Sequence, residues 1–238
     1  MYVIETENLV KKFRNFVAVD SLSLTVKKGE VFGFLGANGA GKTTAMRMFC
    51  GLLRPSSGIG KVAGFDIYKQ TNDIKKNIGY MSQKFSLYND LSVAENMRLF
   101  AGIYGMRYIH ISKKIEKICD ELQLQHVKHT LVQDLPLGIK QKVAFAVAIF
   151  HNPQIVFLDE PTSGVDPLSR RLFWEMIYAA ADKGITIFAT THYMDEAEYC
   201  NRVSIMVDGK LKVLDTPAAL KHTYNTQSMN EVFQAIVR

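Results

Sequence analysis

The chain has 238 residues, 47% hydrophobic and 22% charged, with a formal net charge of +6 at pH 7. At about 150 residues per domain, that length excludes both a stapled mini-protein and a long multidomain array. The apolar share excludes disorder for the bulk of the chain, and 16 Gly with 6 Pro exclude collagen-like and low-complexity sequence.

At the N-terminus, Glu5 and Glu7 interrupt the apolar run that a signal peptide requires. Residues 21–26 alternate polar and apolar, the pattern of a half-buried strand, and Lys27-Lys28-Gly29 turns the chain. A continuous apolar strand is predicted over 30–35, then a Gly-rich stretch, a helix over 42–52 and loop chemistry at 53–58. Another strand is predicted over 78–81. From about 92 to 150 the periodicity is helical: Ser92 and Glu95 form a capping box, and Ile111, Ile115, Ile118 and Leu122 recur at helical spacing. Gly138 precedes a third helix over 139–150. Strand character resumes over 154–158 and 185–189, with a helix over 167–182 between them and a short helix over 194–199. Asp208-Gly209, between apolar runs 203–207 and 210–214, predicts a two-residue hairpin. Strands alternating with helices predict an α/β core with a largely parallel sheet. The expected layout is one domain over 1–238, with a core from 1–86 and 153–238 and an inserted helical subdomain over 87–152.

The longest apolar stretch, 143–150, is far short of the roughly 20 residues that span a bilayer. The expectation is therefore a chain that is neither exported nor membrane-spanning but is able to dock on a membrane protein. The net positive charge permits anionic partners. However, Lys11-Lys12, Lys27-Lys28 and Lys75-Lys76 are scattered surface pairs, with no basic stripe interleaved with aromatics, so no nucleic acid is expected. Cys50, Cys119 and Cys200 are odd in number and widely spaced, which fits free thiols. Cys119 with His126 and His129 matches no strong metal-ligand spacing.

Two motifs carry chemistry. Gly36-Ala37-Asn38-Gly39-Ala40-Gly41-Lys42-Thr43 satisfies every fixed position of G-x-x-x-x-G-K-[ST], after an apolar strand and before a helix. Glycines let backbone N–H groups turn in around phosphate oxygens, and the helix presents its positive end to them. Lys42 supplies a point charge for the β- and γ-phosphates, and Thr43 a hydroxyl for Mg²⁺. The second motif is the apolar strand that ends in Asp159-Glu160. Asp159 is the expected Mg²⁺-shell acid and Glu160 the expected general base for the attacking water.

In series with these stand Gln83, the segment 135–141, Ser163-Gly164-Val165-Asp166 and His192. From residue 10 to about 220 the ordered set resembles the ATP-binding subunit of an ABC transporter. LDEPTSGVDPLSRR and TTHYMDEAEYCNRV are most similar to the bacterial multidrug-exporter branch. The resemblance implies a P-loop sheet core with an N-terminal antiparallel β region and an inserted helical subdomain. It implies that Phe13 stacks on adenine, with Phe16 a competing candidate, and that Gly36 to Thr44 (Ala37, Asn38, Gly39, Ala40, Gly41, Lys42, Thr43 and Thr44 included) hold ATP. Gln83 would touch Mg²⁺ or water, His192 would contact the γ-phosphate, and Asp166 would lie at a dimer interface. It also implies ATP and Mg²⁺ as cofactors, a second ATPase subunit, and a separate transmembrane permease, at the cytoplasmic side of the cell membrane. The competing class is a soluble ABC-type ATPase acting on ribosomes or DNA, disfavoured because the helical insert is too short for a coiled-coil arm. A P-loop kinase or GTPase is more distant.

One departure stands out. The family's signature, Leu-Ser-Gly-Gly-Gln, is here Leu135-Pro136-Leu137-Gly138-Ile139. Pro136 has neither the hydroxyl nor the N–H of the serine that reaches the opposing subunit's γ-phosphate. A hydrogen bond to a charged group is worth roughly 1.5–3 kcal/mol. What remains to meet an anion in trans is Gly138 and the start of the following helix.

Overall fold

The computed structural model of the chain describes residues 1–83 and 86–237. A long hairpin of β1 (Tyr2–Phe13) and β2 (Phe16–Lys27) comes first, and β3 (Val31–Leu35) leads into α1 (Lys42–Phe49). Next are β4 (Ser57–Val62), β5 (Phe65–Asp66), α2 (Thr71–Asn77) and β6 (Ile78–Met81). Three helices then run in succession, α3 (Val93–Ile103), α4 (Tyr108–Glu121) and α5 (Leu137–Ile149), with 3₁₀ turns between α4 and α5. The chain returns to β7 (Ile155–Asp159), α6 (Pro167–Asp182) and β8 (Thr186–Thr191), then a 3₁₀ helix at Met194–Tyr199. The hairpin β9 (Arg202–Val207) and β10 (Lys210–Asp215) precedes α7 (Pro217–Thr223) and α8 (Met229–Val237).

Two sheets form. The first is antiparallel in the order β2-β1-β4-β5; the second has the order β10-β9-β3-β8-β7-β6. In the second, β9, β3, β8, β7 and β6 run parallel and β10 is an antiparallel edge. The parallel strands are buried on both faces, which is why they read as unbroken apolar runs. Period-two alternation divides them cleanly. Phe32, Phe34, Ile155, Phe157 and Phe188 face a core shared with the antiparallel sheet and α1. Val31, Leu35, Val156, Leu158, Ile187 and Ala189 face a core shared with α5 and α6. A third cluster, with Val93, Met97, Ile111, Ile115, Ile118 and Val143, joins α3, α4 and α5. Because α5 contributes Phe145 to the sheet core and Val143 to the helical one, it is the element that links them.

Several boundaries shift for identifiable reasons. The strand expected from residue 30 starts at Val31, because the Glu30 carboxylate accepts from Lys27 N at 2.7 Å and pairs with the Arg202 guanidinium. The helix expected to reach 52 stops at Phe49: Gly51 takes φ +65°, and the N–H groups of Leu52 and Leu53 both turn back onto Arg47 O. The third helix of the insert begins at Leu137, two residues before the expected start, with Pro136 as its N-cap. Gly138 therefore lies inside the first turn. The Ser92/Glu95 capping box is present in full. Among the described residues, no helix is long and apolar enough to cross a membrane.

Candidate nucleotide site

The loop after β3 and the start of α1 sit at the carboxyl ends of the parallel strands, where open α/β sheets place their ligands. The loop's close approach to its surroundings requires glycine. Gly41 has φ +102°, and a Cβ there would stand 2.4 Å from Ala18 O. Lys42 is only 5% exposed. Its ammonium donates to Gly36 O at 2.7 Å and Ala37 O at 3.1 Å and lies 3.8 Å from Glu160 Oε1. Burial lowers its pKa, and the charges of Glu160 and Asp159 oppose that shift.

Asp159 is the last residue of β7 and is 4% exposed. Its Oδ1 accepts from Thr190 Oγ1 at 2.8 Å and from Thr43 Oγ1 at 3.4 Å. Burial pushes its carboxyl up, opposed by the hydrogen bond from Thr190 and reinforced by the charge of Glu160. The strand ends there because Glu160 turns into the left-handed region at φ +48°, a conformation that costs about 1–2 kcal/mol for a residue with a Cβ. Its N–H is held by Thr190 at 3.1 Å, and the turn sends its carboxylate across to meet two distant elements. Gln83 Nε2, just past β6, donates to Glu160 Oε2 at 3.0 Å, and His192 Nδ1, just past β8, lies 3.1 Å from the same oxygen. Residues 83, 160 and 192, singled out on different grounds and far apart in sequence, thus converge on one carboxylate.

A cavity of about 360 Å³ opens over this cluster, bounded by Asn38, Thr43, Thr44, Gln83, Glu160 and Phe16. Phe16, the competing aromatic, lines it; Phe13 does not. The two are cross-strand partners at the hairpin tip, and the ring of Phe13 is covered by the Lys11 ammonium at 5.0 Å. On this geometry the expected Phe13 lies away from the cavity and the competing Phe16 borders it.

The residues fit a Mg²⁺ ion held with a triphosphate. Among the described residues, no group of three or more His, Cys, Asp or Glu forms a cage. One hydroxyl and one carboxylate, Thr43 and Asp159, suit a small cation that keeps its waters and takes phosphate oxygens.

The signature segment lies elsewhere on the chain. A cleft of about 450 Å³ is lined by Pro136, Leu137, Gly138 and Ile139 together with Gly164, Asp166 and Ser169. Leu135 is buried beneath it in the helical core. Asp166 N-caps α6, its carboxylate accepting from Ser169 N at 2.9 Å; the Ser169 hydroxyl first, and then that N–H, hold its pKa below the usual range. Two features escaped the sequence reading. Thr190 ties both acids together. The fully buried Glu196 accepts from Thr162 Oγ1 and lies 3.6 Å from Arg170 Nε. The hydroxyls Thr190-Thr191 directly before His192 were the signal available for the first.

A strand–loop–helix phosphate cradle with two acids at the end of a neighbouring strand defines a P-loop nucleoside triphosphatase. A sequence model described as ABC transporter matches residues 19–163, and the chain belongs to that family. It is 47% identical over 229 residues to the probable multidrug ABC transporter ATP-binding protein YbhF of Escherichia coli (strain K12), covering 96% of this chain but only 39% of that protein. It is 35% identical over 209 residues to the Nod factor export ATP-binding protein I of Cupriavidus metallidurans, covering 87% of this chain and 69% of that one. The solved structure of an ATP-binding subunit of an ABC transporter superposes with a TM-score of 0.88 at 25% identity, covering 99% of this chain and 100% of that chain.

Proposed function

We propose that this chain hydrolyses ATP to power export through a separate membrane polypeptide, working as a pair of ATPase subunits at the cytoplasmic face of the membrane. The observation that carries the reading is the Glu160 carboxylate, contacted by Gln83 at 3.0 Å and His192 at 3.1 Å beside the lysine of the phosphate loop. The export direction is supported by the name of one relative, the Nod factor export ATP-binding protein I.

In this reading the triphosphate enters against the N–H groups of the loop and the start of α1. Lys42 exchanges its two carbonyl acceptors for phosphate oxygens. Phe16 stacks on the base, with Phe13 beside it. Thr43 and Asp159, with Gln83 close by, would hold Mg²⁺, which would supply charge neutralisation to the bound phosphates. Glu160 takes a proton from the attacking water, and Gln83 fixes the carboxylate's position for that task, with His192 beside it. His192 also faces the γ-phosphate. Each nucleotide is completed by segment 135–139 of the opposing subunit, and Asp166 reaches the same interface. Binding closes the pair because the γ-phosphate touches both halves; hydrolysis removes those contacts and the pair opens.

Replacing Glu160 by Gln tests this. The amide cannot act as base, so Glu160→Gln should bind ATP, lose turnover by about 10²-fold or more, and accumulate as a nucleotide-bound dimer in gel filtration. Turnover at the wild-type rate removes Glu160 from the role of base. Lys42→Ala should abolish binding itself, and the membrane polypeptide should co-purify from solubilised membranes.

A further inference from the structure

On the side of the molecule away from the carboxyl ends of the strands, a cleft of about 460 Å³ lies among α4, α5 and the end of α6. Its volume falls within the range of about 300–1,000 Å³ typical of small-molecule sites. Its floor is apolar: Ile118, Phe145 and Ala180 are buried, and Ile149 and Met176 flank them. Its rim is cationic, with Lys113, Lys114, Lys117 and Lys183 facing one carboxylate, Glu121.

That carboxylate is already shared. Lys183 Nζ donates to Glu121 Oε2 at 2.8 Å and Lys117 Nζ lies 3.8 Å from Oε1. Among the described residues, Lys114 has only a neutral partner, donating to Asn152 Oδ1 at 3.0 Å with its ammonium 5.5 Å from the Phe150 ring. A charge partly withdrawn from water and lacking a counter-ion is costly. In agreement, burial and, second, the Lys117 ammonium lower the pKa of Lys114. Surface lysines of an amphipathic helix are ordinarily solvated and need no ligand. Lys114 differs because it is half-buried at the edge of an apolar floor. The cleft thus joins two complementary needs, apolar surface to be covered and positive charge to be matched.

We propose that this cleft binds an anionic amphiphile, a monomeric molecule with a carboxylate or phosphate head on an alkyl chain. The head pairs with Lys114 and its neighbouring lysines, and the chain covers Ile118, Phe145, Ile149 and Met176. A simple anion leaves the floor wet, and a peptide helix exceeds the volume. The site is independent of the nucleotide reading.

Isothermal titration of the full chain with decyl phosphate, below its micelle concentration, tests the proposal, with decanol and inorganic phosphate as comparison probes. Decyl phosphate should bind at least tenfold more tightly than either. Lys114→Gln should weaken binding about tenfold or more. Glu121→Gln, which frees Lys117 and Lys183, should tighten it severalfold. The remote pair Lys27→Gln/Lys28→Gln should leave it unchanged. The proposal is overturned by no binding, by equal affinity for decanol, by equal affinity for inorganic phosphate, or by loss on the remote lysines equal to that on Lys114. Should Lys114→Gln fail to fold, the direction of the Glu121→Gln effect decides alone.

Discussion

Within the phosphate loop, the three glycines are not equivalent. At Gly41 a Cβ would meet Ala18 O at 2.4 Å with φ at +102°, whereas at Gly39 a Cβ meets nothing within 4 Å. Gly39→Ala therefore carries only the left-handed penalty of about 1–2 kcal/mol, while Gly41→Ala must also displace the β2 backbone. Thermal melts should show the larger loss for Gly41→Ala, and nucleotide titration should show binding abolished there but retained in weakened form for Gly39→Ala. A comparable contrast separates the two aromatics. Stacking on a base is worth about 1–3 kcal/mol, so Phe16→Ala should weaken ATP binding by roughly ten- to a hundredfold, and Phe13→Ala by less. Equal losses would place both rings on the base. Single residues were legible wherever the chemistry is local, as in the loop or in Asp159-Glu160. They were illegible where the partner arrives through the sheet: Thr190 meets Asp159 only because β8 pairs with β7 in register. The placement of Phe13 and Phe16 was likewise illegible, because the hairpin tip puts one ring at the cavity and the other under Lys11.

Among the secondary-structure elements, the joint between α5 and β6 sets how the helical insert rides on the sheet. A Cβ at Gly79 would stand 2.1 Å from Ala148 O, so glycine is what lets the helix touch the strand. Just beyond, His151 Nε2 lies 2.9 Å from Ile78 O, and its ring stacks on Tyr104 at the end of α3 with centroids 3.6 Å apart. Burial pushes the imidazole down from 6.5 to about 4, against the opposing pull of the Ile78 carbonyl. The folded chain therefore keeps this ring neutral where the unfolded chain takes up a proton. Stability is present above the unfolded value of about 6.5 and is lost as pH falls toward 4. The expected loss from this group between pH 7 and pH 5 is about 2 kcal/mol. Urea unfolding at the two pH values should show a smaller difference for His151→Gln than for the parent chain; equal differences would show that the ring is not the titrating group. Gly79→Ala should cost at least about 1–3 kcal/mol through overpacking. Helices and strands were legible from periodicity and caps, because burial on one face leaves a period in the sequence. Their ends moved where a tertiary partner intervened, as Arg202 did at Glu30, or where a local cap set the start, as Pro136 did for α5.

At the scale of the whole molecule, the altered signature segment is where folding and pairing can be separated. Pro136 is the N-cap of α5, with φ −59° and ψ 152°, and it makes no side-chain cap. A serine at that position supplies a hydroxyl to a first-turn N–H, worth about 0.5–2 kcal/mol to the helix in the isolated chain. Pro136→Ser should thus raise the melting temperature without any partner. If the segment also completes the opposing subunit's site, the same hydroxyl gains a charged acceptor in the closed pair, worth roughly a further 1.5–3 kcal/mol. ATPase activity and ATP-dependent dimerisation should then rise by about one to two decades, an effect absent when the opposing copy carries Lys42→Ala. Leu137→Gly, at the first helical position, should lower melting temperature through the weaker helix propensity of glycine, about 1 kcal/mol, while opening the approach over Gly138. A double variant that melts like the parent but turns over faster places the segment at a shared nucleotide. A variant that melts higher with unchanged turnover assigns Pro136 to helix geometry alone, and a parent chain inactive until a second ATPase chain is added shows that this signature half serves a mixed pair.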